Sequence, residues 1–337
     1  VTLRVGILGA GNIFERGYLP ALLQTEAVKV VAVCDTDGTR AERGAERLGA
    51  AADSSDEALL SRPDLDAIFV LTPTDSHADL AIAALESGRD VLCEKPMARS
   101  AADARRMAEA VARTGRRLMI GHTRHFDDRW TTVRAQIEAG RIGQPVYAYR
   151  SEHAYNGAPA ASWLWRDEIS GGVLWDVGVH VAELFHWYLG GRPRTAFATV
   201  LHSRPEAQAG GAPDAAVATF DFGPDRHAVM SVSWLHPPAW GPFYSTLDVV
   251  GTSGRIEAYE RETHPATIVT SQLEIPRDSP LLSALATAFR REIEHFAVAV
   301  ETGSPFAISV DDAIAAIDMI EAAERSAASG RAEAVRP

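Results

Sequence analysis

LRVGILGAGNIF, Leu3 to Phe14, is a short apolar, β-branched run that meets a glycine turn and passes into a helix-like segment reaching Leu23. Strand, glycine turn and helix open a dinucleotide-binding unit, in which main-chain N–H groups at the helix start hold a pyrophosphate. Gly9, Gly11, Asn12 and Ile13 are the candidate contacts. The glycine fingerprint is incomplete, because Phe14 stands where a third glycine is expected, and a lone glycine turn is a weak signal. The next strand strengthens it. Val28 to Val33 runs into Cys34-Asp35, which puts an acid at a strand end about twenty residues past the glycines, where a carboxylate can accept ribose hydroxyls. Asp35 and Asp37 would repel a 2′-phosphate, so NAD is the expected cofactor; Arg40 keeps NADP open.

Working outward, the alternation continues. Helical stretches are read at Thr39 to Leu48, Asp56 to Ser61, Ser76 to Ser87 and Ala101 to Arg113, with strands at Ala67 to Leu71, Asp90 to Cys93 and Leu118 to Ile120. That order predicts an α/β domain with a doubly wound parallel sheet over residues 1–122. Ligands of such sheets lie at the carboxyl ends of the strands, here Gly9-Ala10-Gly11, Asp35, Thr72-Pro73 and Glu94-Lys95-Pro96. Lys95 stands out because only it and Lys29 are lysine among 33 basic residues. An ammonium can polarise an oxygen or donate a proton, and a proline after it permits a cis bond that would fix its direction.

Residues 123–337 read differently. Helix Asp127 to Ala139 is followed by strands at Pro145 to Ala154, Thr195 to His202, Ala215 to Phe222, Arg226 to Leu235, Phe243 to Gly251 and Arg255 to Tyr259. Two helices, Leu281 to Glu301 and Val310 to Ala328, finish the chain, and Ser309 with Asp312 forms a capping box for the second. An α+β domain with a large, mainly antiparallel open sheet is expected. The Gly-, Ala- and Pro-rich segment Ser203 to Pro213 reads as a mobile loop. Between the glycine pairs of Gly171 to Gly191 runs an apolar, helix-length segment carrying Asp176 and His180, four residues apart and therefore on one helical face. Alone, such a pair is more often satisfied locally than functional. Trp163, Trp165, Trp175, Trp187 and Tyr188 cluster around it, and at least half of these rings are expected in the core.

Composition narrows the classes. Hydrophobic and charged fractions of 46% and 23% are those of a globular protein, and 337 residues call for two domains. A net charge of −12 argues against nucleic acid as a partner. No apolar run approaches the roughly 18 residues of a membrane span, and no export signal precedes the first strand, so a cytoplasmic protein is expected. Cys34 and Cys93 match neither a disulfide framework nor a zinc motif. Asp176, His180 and Glu183, with His186 nearby, could face a metal from one side of the helix. That rival leaves the nucleotide-binding half without purpose, and no metal is expected.

Together GAGNIF at Gly9 to Phe14, TPTDSHADLAIAALESGRDVLCEKP at Thr72 to Pro96, GGVLWDVGVH at Gly171 to His180 and the closing GSPFAISVDDAIAAIDMIEAAERSAASGR resemble the glucose–fructose oxidoreductase/inositol dehydrogenase/MocA family of NAD(P)-dependent dehydrogenases. The likeness covers nearly the whole chain. It implies a catalytic role for Lys95, and substrate or proton handling for Asp176 and His180. It places Thr72, Pro73 and His77 on the cofactor side, with Glu94 positioning the EKP turn. Trp163 and Arg166 join Lys95, Asp176 and His180 as candidate substrate contacts. The resemblance also implies a homodimer or homotetramer built through the open sheet. Phe14 and Glu183, the latter where aspartate is frequent, depart from the pattern without removing a catalytic group. The expected activity is oxidation of a secondary hydroxyl of a sugar, inositol or other polyol, or reduction of the ketone, with Asp176 and His180 facing Lys95 and the nicotinamide across a cleft. NAD-assisted glycoside cleavage, epimerisation and a non-catalytic cofactor-binding regulator are the alternatives.

Overall fold

The computed structural model describes residues 2–236, 243–261, 268–270, 274–275 and 285–336. The chain forms two compact units, Val1–Asp127 with Ser283–Ile314, and Asp128–Leu282 with Ala315–Pro337. This differs from the contiguous 1–122 and 123–337 division.

The first unit is built on six parallel strands, β1 (Leu3–Leu8), β2 (Val28–Cys34), β3 (Ala51–Asp53), β4 (Ala67–Val70), β5 (Asp90–Glu94) and β6 (Leu118–Gly121), in the order β3-β2-β1-β4-β5-β6. β4, β5 and β6 are buried at every residue, which is why β4 and β6 read as unbroken apolar runs rather than as alternation. Helix starts are set by side chains: Ser55 Oγ accepts from Ala58 N and Ser100 Oγ from Asp103 N. The first helix opens with a π-helical turn, Phe14–Tyr18, before Leu19–Leu22. Phe14 is fully buried, and a Cβ on Gly44 of the helix Gly38–Leu48 would lie 3.0 Å from its ring. Bulk added at the missing glycine is thus matched by a side chain missing from the neighbouring helix.

The helix Leu285–Thr302 belongs to this unit for a packing reason. Phe289 lies 4.9 Å from the Tyr18 ring, Phe296 meets Phe69 edge-on at 5.6 Å, and Arg117 donates to the carbonyls of Ala299 and Ser304. The expected start of this helix at Leu281 lies outside the described residues. Ser309 and Asp312 bond reciprocally through side chain and main chain, forming the box that caps Val310–Ser329.

In the second unit β7 (Pro145–Ala154), β8 (Thr195–Leu201), β9 (Ala215–Asp221), β10 (His227–Ser233), β11 (Phe243–Gly251), β12 (Arg255–Arg261), β13 (Ile268–Thr270), β14 (Glu274–Ile275) and β15 (Glu333–Ala334) form one sheet. Its order is β14-β13-β12-β11-β7-β10-β9-β8-β15, and among the described residues only β7 and β10 pair in parallel. Ala196, Ala198, Ala216, Ala218, Met230 and Val249 are buried, while Phe197, Leu201 and Val217 alternate with them and are exposed. Arg150 is fully buried in β7, its guanidinium 4.2 Å over Trp130 and 2.6 Å from the Glu152 carboxylate. A charge that deep must be paired and hydrogen-bonded.

Two expectations are corrected here. Ser203 to Pro213 is not a bare loop: Pro205–Gly210 is helical, and the buried Asp214 accepts from Ser203 N, Ser203 Oγ and Arg204 N. Gly171 to Gly191 is two helices, Gly172–Asp176 and Gly178–Leu189, separated at Val177. His180 N bonds the Val177 carbonyl, a tighter turn than the α-helical one. At Gly172 φ is +65°, and a Cβ would sit 2.5 Å from the Pro213 ring and carbonyl. Gly172→Ala is expected to cost about 3 kcal/mol, from overpacking and left-handed strain, measurable by urea denaturation.

Candidate active site

Gly9 lies at φ +98°, and a Cβ there would come 2.7 Å from the Leu71 carbonyl, so no other residue lets β1 pass so close to the end of β4. Gly9 N donates to Cys34 O, joining β1 to β2. Gly11 has nothing within 4 Å of where a Cβ would be, so its main chain is bare to an approaching group. Asn12 beside it is exposed and Ile13 half-buried. Asp35 ends β2 with both carboxylate oxygens engaged, Oδ2 accepting Ala10 N at 2.7 Å and Oδ1 accepting Asp37 N at 2.8 Å. The nearby arginines face carboxylates: Arg40 is 3.3 Å from Asp37, and Arg43 and Arg47 both reach Glu15. A bare glycine turn beside a strand-end acid fits a dinucleotide, whose pyrophosphate needs close main-chain approach and whose ribose needs an acceptor.

The third and fourth strand ends are tied by one ring. His77, 1% exposed, places Nε2 2.8 Å from Thr72 O and Nδ1 2.8 Å from Pro96 O. Burial holds this imidazole below its ordinary pKa, and the Lys95 charge adds to that, against the pull of the two carbonyls. His77 therefore joins the turn after β4 to the turn after β5. Thr72 Oγ1 accepts from Ser76 Oγ, and Pro73 precedes the short 3-10 turn Thr74–Ser76. Glu94 ends β5 buried, its Oε2 accepting the main-chain N–H of half-buried Lys95 at 2.9 Å, and the Lys95–Pro96 bond is cis.

In the second unit, every residue from Gly171 to Phe185 is buried except Asp176 and His180, which are half-exposed. Asp176 closes the first short helix and His180 lies in the first turn of the next. Glu183, 1% exposed, does not share that surface, and His186 bonds the Gly191 carbonyl at the helix end. Among the described residues no group of three His, Cys, Asp or Glu side chains is gathered to hold a metal ion. Among the same residues no helix is long and apolar enough to cross a membrane. Trp165, Trp175 and Tyr188 are core; Trp187 stacks on Tyr188, and Trp163 is 36% exposed. Arg166 is exposed and pairs with Glu168.

Residues 3–122 match the family model described as an oxidoreductase family with an NAD-binding Rossmann fold, and residues 130–257 match the GFO/IDH/MocA C-terminal domain. The chain belongs to the GFO/IDH/MocA oxidoreductases. It is an NAD(P)-dependent enzyme. Among its relatives, the inositol 2-dehydrogenase of Rhizobium meliloti (strain 1021) is 30% identical over 98% of both chains. The scyllo-inositol 2-dehydrogenase (NAD(+)) of Bacillus subtilis (strain 168) is 29% identical over 93% of this chain and 90% of that one. The crystal structure of a candidate myo-inositol dehydrogenase from Sinorhizobium meliloti 1021 matches with a TM-score of 0.85 and 28% identity, covering 99% of this chain and 100% of that one.

The sequence did not single out Tyr18, which reaches Glu94 of the EKP turn, or Glu292, which reaches Tyr18. Tyr18 Oη lies 3.0 Å from Glu94 Oε1 and 3.0 Å from Glu292 Oε1. A glutamate among charged neighbours in a helix carries no local mark of burial. At Asp35, replacement by alanine removes the carboxylate expected to accept the ribose hydroxyls and frees Ala10 N. Fluorescence titration should show NADH binding weakened about tenfold and the NADH/NADPH preference narrowed.

Proposed function

We propose that this enzyme oxidises a secondary hydroxyl of an inositol, sugar or related polyol, or reduces the corresponding ketone. His180 takes the hydroxyl proton, Lys95 stabilises the developing alkoxide and relays the proton, and Asp176 orients substrate or imidazole. The bound dinucleotide supplies the hydride acceptor. The observation that carries the reading is that Asp176 and His180 alone break the buried surface of residues 171–185. A base and a carboxylate are held by rigid apolar neighbours yet reach solvent, as a group that must meet substrate requires. Imidazole titrates near neutrality and is suited to accept a proton as hydride leaves. The compact Lys95 ammonium offers a positive charge that stabilises the developing alkoxide.

Gly9, Gly11, Asn12, Ile13, Asp35, Thr72, Pro73, His77 and Glu94 form or shape the cofactor side of this reading. Paired arginines near Asp35 favour NAD over NADP, because none faces the ribose end without a carboxylate beside it. Trp163, exposed and aromatic, and Arg166 are the further substrate contacts. The inositol dehydrogenases among the relatives support a cyclic polyol as substrate. A second copy of the chain is the proposed cover for the outward face of the large sheet, where Phe197, Leu201, Val217 and Tyr147 are exposed. Sedimentation should give a dimer or tetramer, and a monomer at micromolar concentration would remove that assignment.

The test is a screen of inositols, aldoses and sugar acids with NAD and NADP, following absorbance of the reduced nucleotide. Steady accumulation of NADH with a polyol is expected; product formed without net NADH would favour the glycoside-cleaving or epimerising alternative. In the active pair, His180→Ala and Lys95→Met should each lower kcat by about 100-fold or more. Near-wild-type turnover in both sinks the assignment.

A further inference from the structure

Tyr18, Glu94 and Glu292 come from the first helix, β5 and the helix Leu285–Thr302, and meet in the interior of the first unit. Tyr18 and Glu292 are fully buried and Glu94 is 4% exposed. The Tyr18 hydroxyl stands 3.0 Å from an oxygen of each carboxyl. A phenol has one proton and can donate to one acceptor only. The second oxygen–oxygen contact is sound only if that carboxyl carries a proton and donates to Tyr18. Glu94 is the better acceptor of the two, because the N–H that Lys95 donates to its Oε2 favours an ionised carboxylate. Glu292 Oε2 has no hydrogen-bond partner among the described residues, a poor place for an ionised oxygen.

We infer that Glu292 is a neutral acid that donates to Tyr18, that Tyr18 donates to Glu94, and that this buried chain positions the main chain of Lys95. Resting on the reading of Lys95 as catalytic, Tyr18 and Glu292 are positioning residues for the oxidoreductase reaction. Burial, reinforced by the charge on Glu94, pushes the Glu292 carboxyl well above the usual range, consistent with the proton count. Tyr18 and Glu94 are the titratable groups that act on it. The chain has room because β6 ends in glycine: a Cβ on Gly121 would lie 3.0 Å from Tyr18 Oη and 3.4 Å from Glu94 Oε1.

The proton is read directly by infrared difference spectroscopy on the intact chain at neutral pH, wild type against Glu292→Gln. A carboxylic-acid carbonyl band present in the wild type and absent from the variant is expected; a wild type showing only carboxylate bands overturns the proton assignment. Thermal melts give a second reading. The folded protein keeps a proton that the unfolded chain releases above the ordinary carboxyl value of 4.5, so this stabilisation is lost as pH rises. Glu292→Gln loses nothing by that route, and its melting temperature relative to wild type should climb between about pH 4 and pH 8. A flat difference overturns the assignment too.

Kinetics use the first polyol that yields NADH in the screen above. Tyr18→Phe should lower kcat about tenfold with KM nearly unchanged, while Glu292→Gln, whose amide can donate as the acid did, should stay within about threefold of wild type. Unchanged kcat in Tyr18→Phe overturns the positioning role. Wild-type turnover in Lys95→Met removes the catalytic reading of Lys95 and the positioning role with it, and leaves the infrared result to decide the proton.

Discussion

A parallel sheet ends all its strands on one side, and the main-chain groups gathered there must be hydrogen-bonded or solvated. In the first unit that demand is met by the side chains expected to serve the cofactor and the substrate. Asp35 accepts the amide of Ala10, His77 spans two carbonyls, and Glu94 accepts the amide of Lys95. The ties run between neighbouring strand ends, from β2 to β1 and from the β4 turn to the β5 turn. A residue in this position cannot be exchanged for its chemistry alone, because it also fixes where the next loop goes.

The second unit solves a different problem. Its sheet needs an oily cover on one face, and the helices of residues 172–189 supply it with Val, Leu, Phe and Trp side chains. Leu184 and Tyr188 sit in one core cluster with Leu247, Val249 and Ile256 of the strands beneath. Tyr188 donates to the Trp130 carbonyl, and Trp175 to Glu324. Within residues 171–185 only Asp176 and His180 remain at the surface, so their placement inherits the rigidity of the cover.

Much of this was legible in local pattern. Continuous apolar runs marked β4 and β6, and glycine and proline marked the turns after the strands, because backbone geometry depends on residues close in sequence. The pair Asp176 and His180 was legible from helical spacing, although the break at Val177 was not, since a single glycine such as Gly178 is tolerated inside a helical pattern. Phe14 hid its compensation, which sits thirty residues away at Gly44. The hardest part was the helix Leu285–Thr302. Its place against Tyr18 and Phe69 depends on aromatic contacts spanning more than two hundred residues, and no periodicity records a partner that distant. Nor does amphipathicity tell a buried glutamate from a solvated one.

That distance has a consequence for how the molecule is made. Domains generally fold as units while the chain emerges during synthesis. Here the first 127 residues leave the ribosome without Phe289, Glu292 and Phe296, and strands β7 to β14 of the second unit are translated before those residues appear. Until then Tyr18 and Phe69 lack their aromatic cover, and the nascent nucleotide-binding half waits as an incomplete intermediate. A helix translated more than 150 residues later is therefore what covers the first part of the chain.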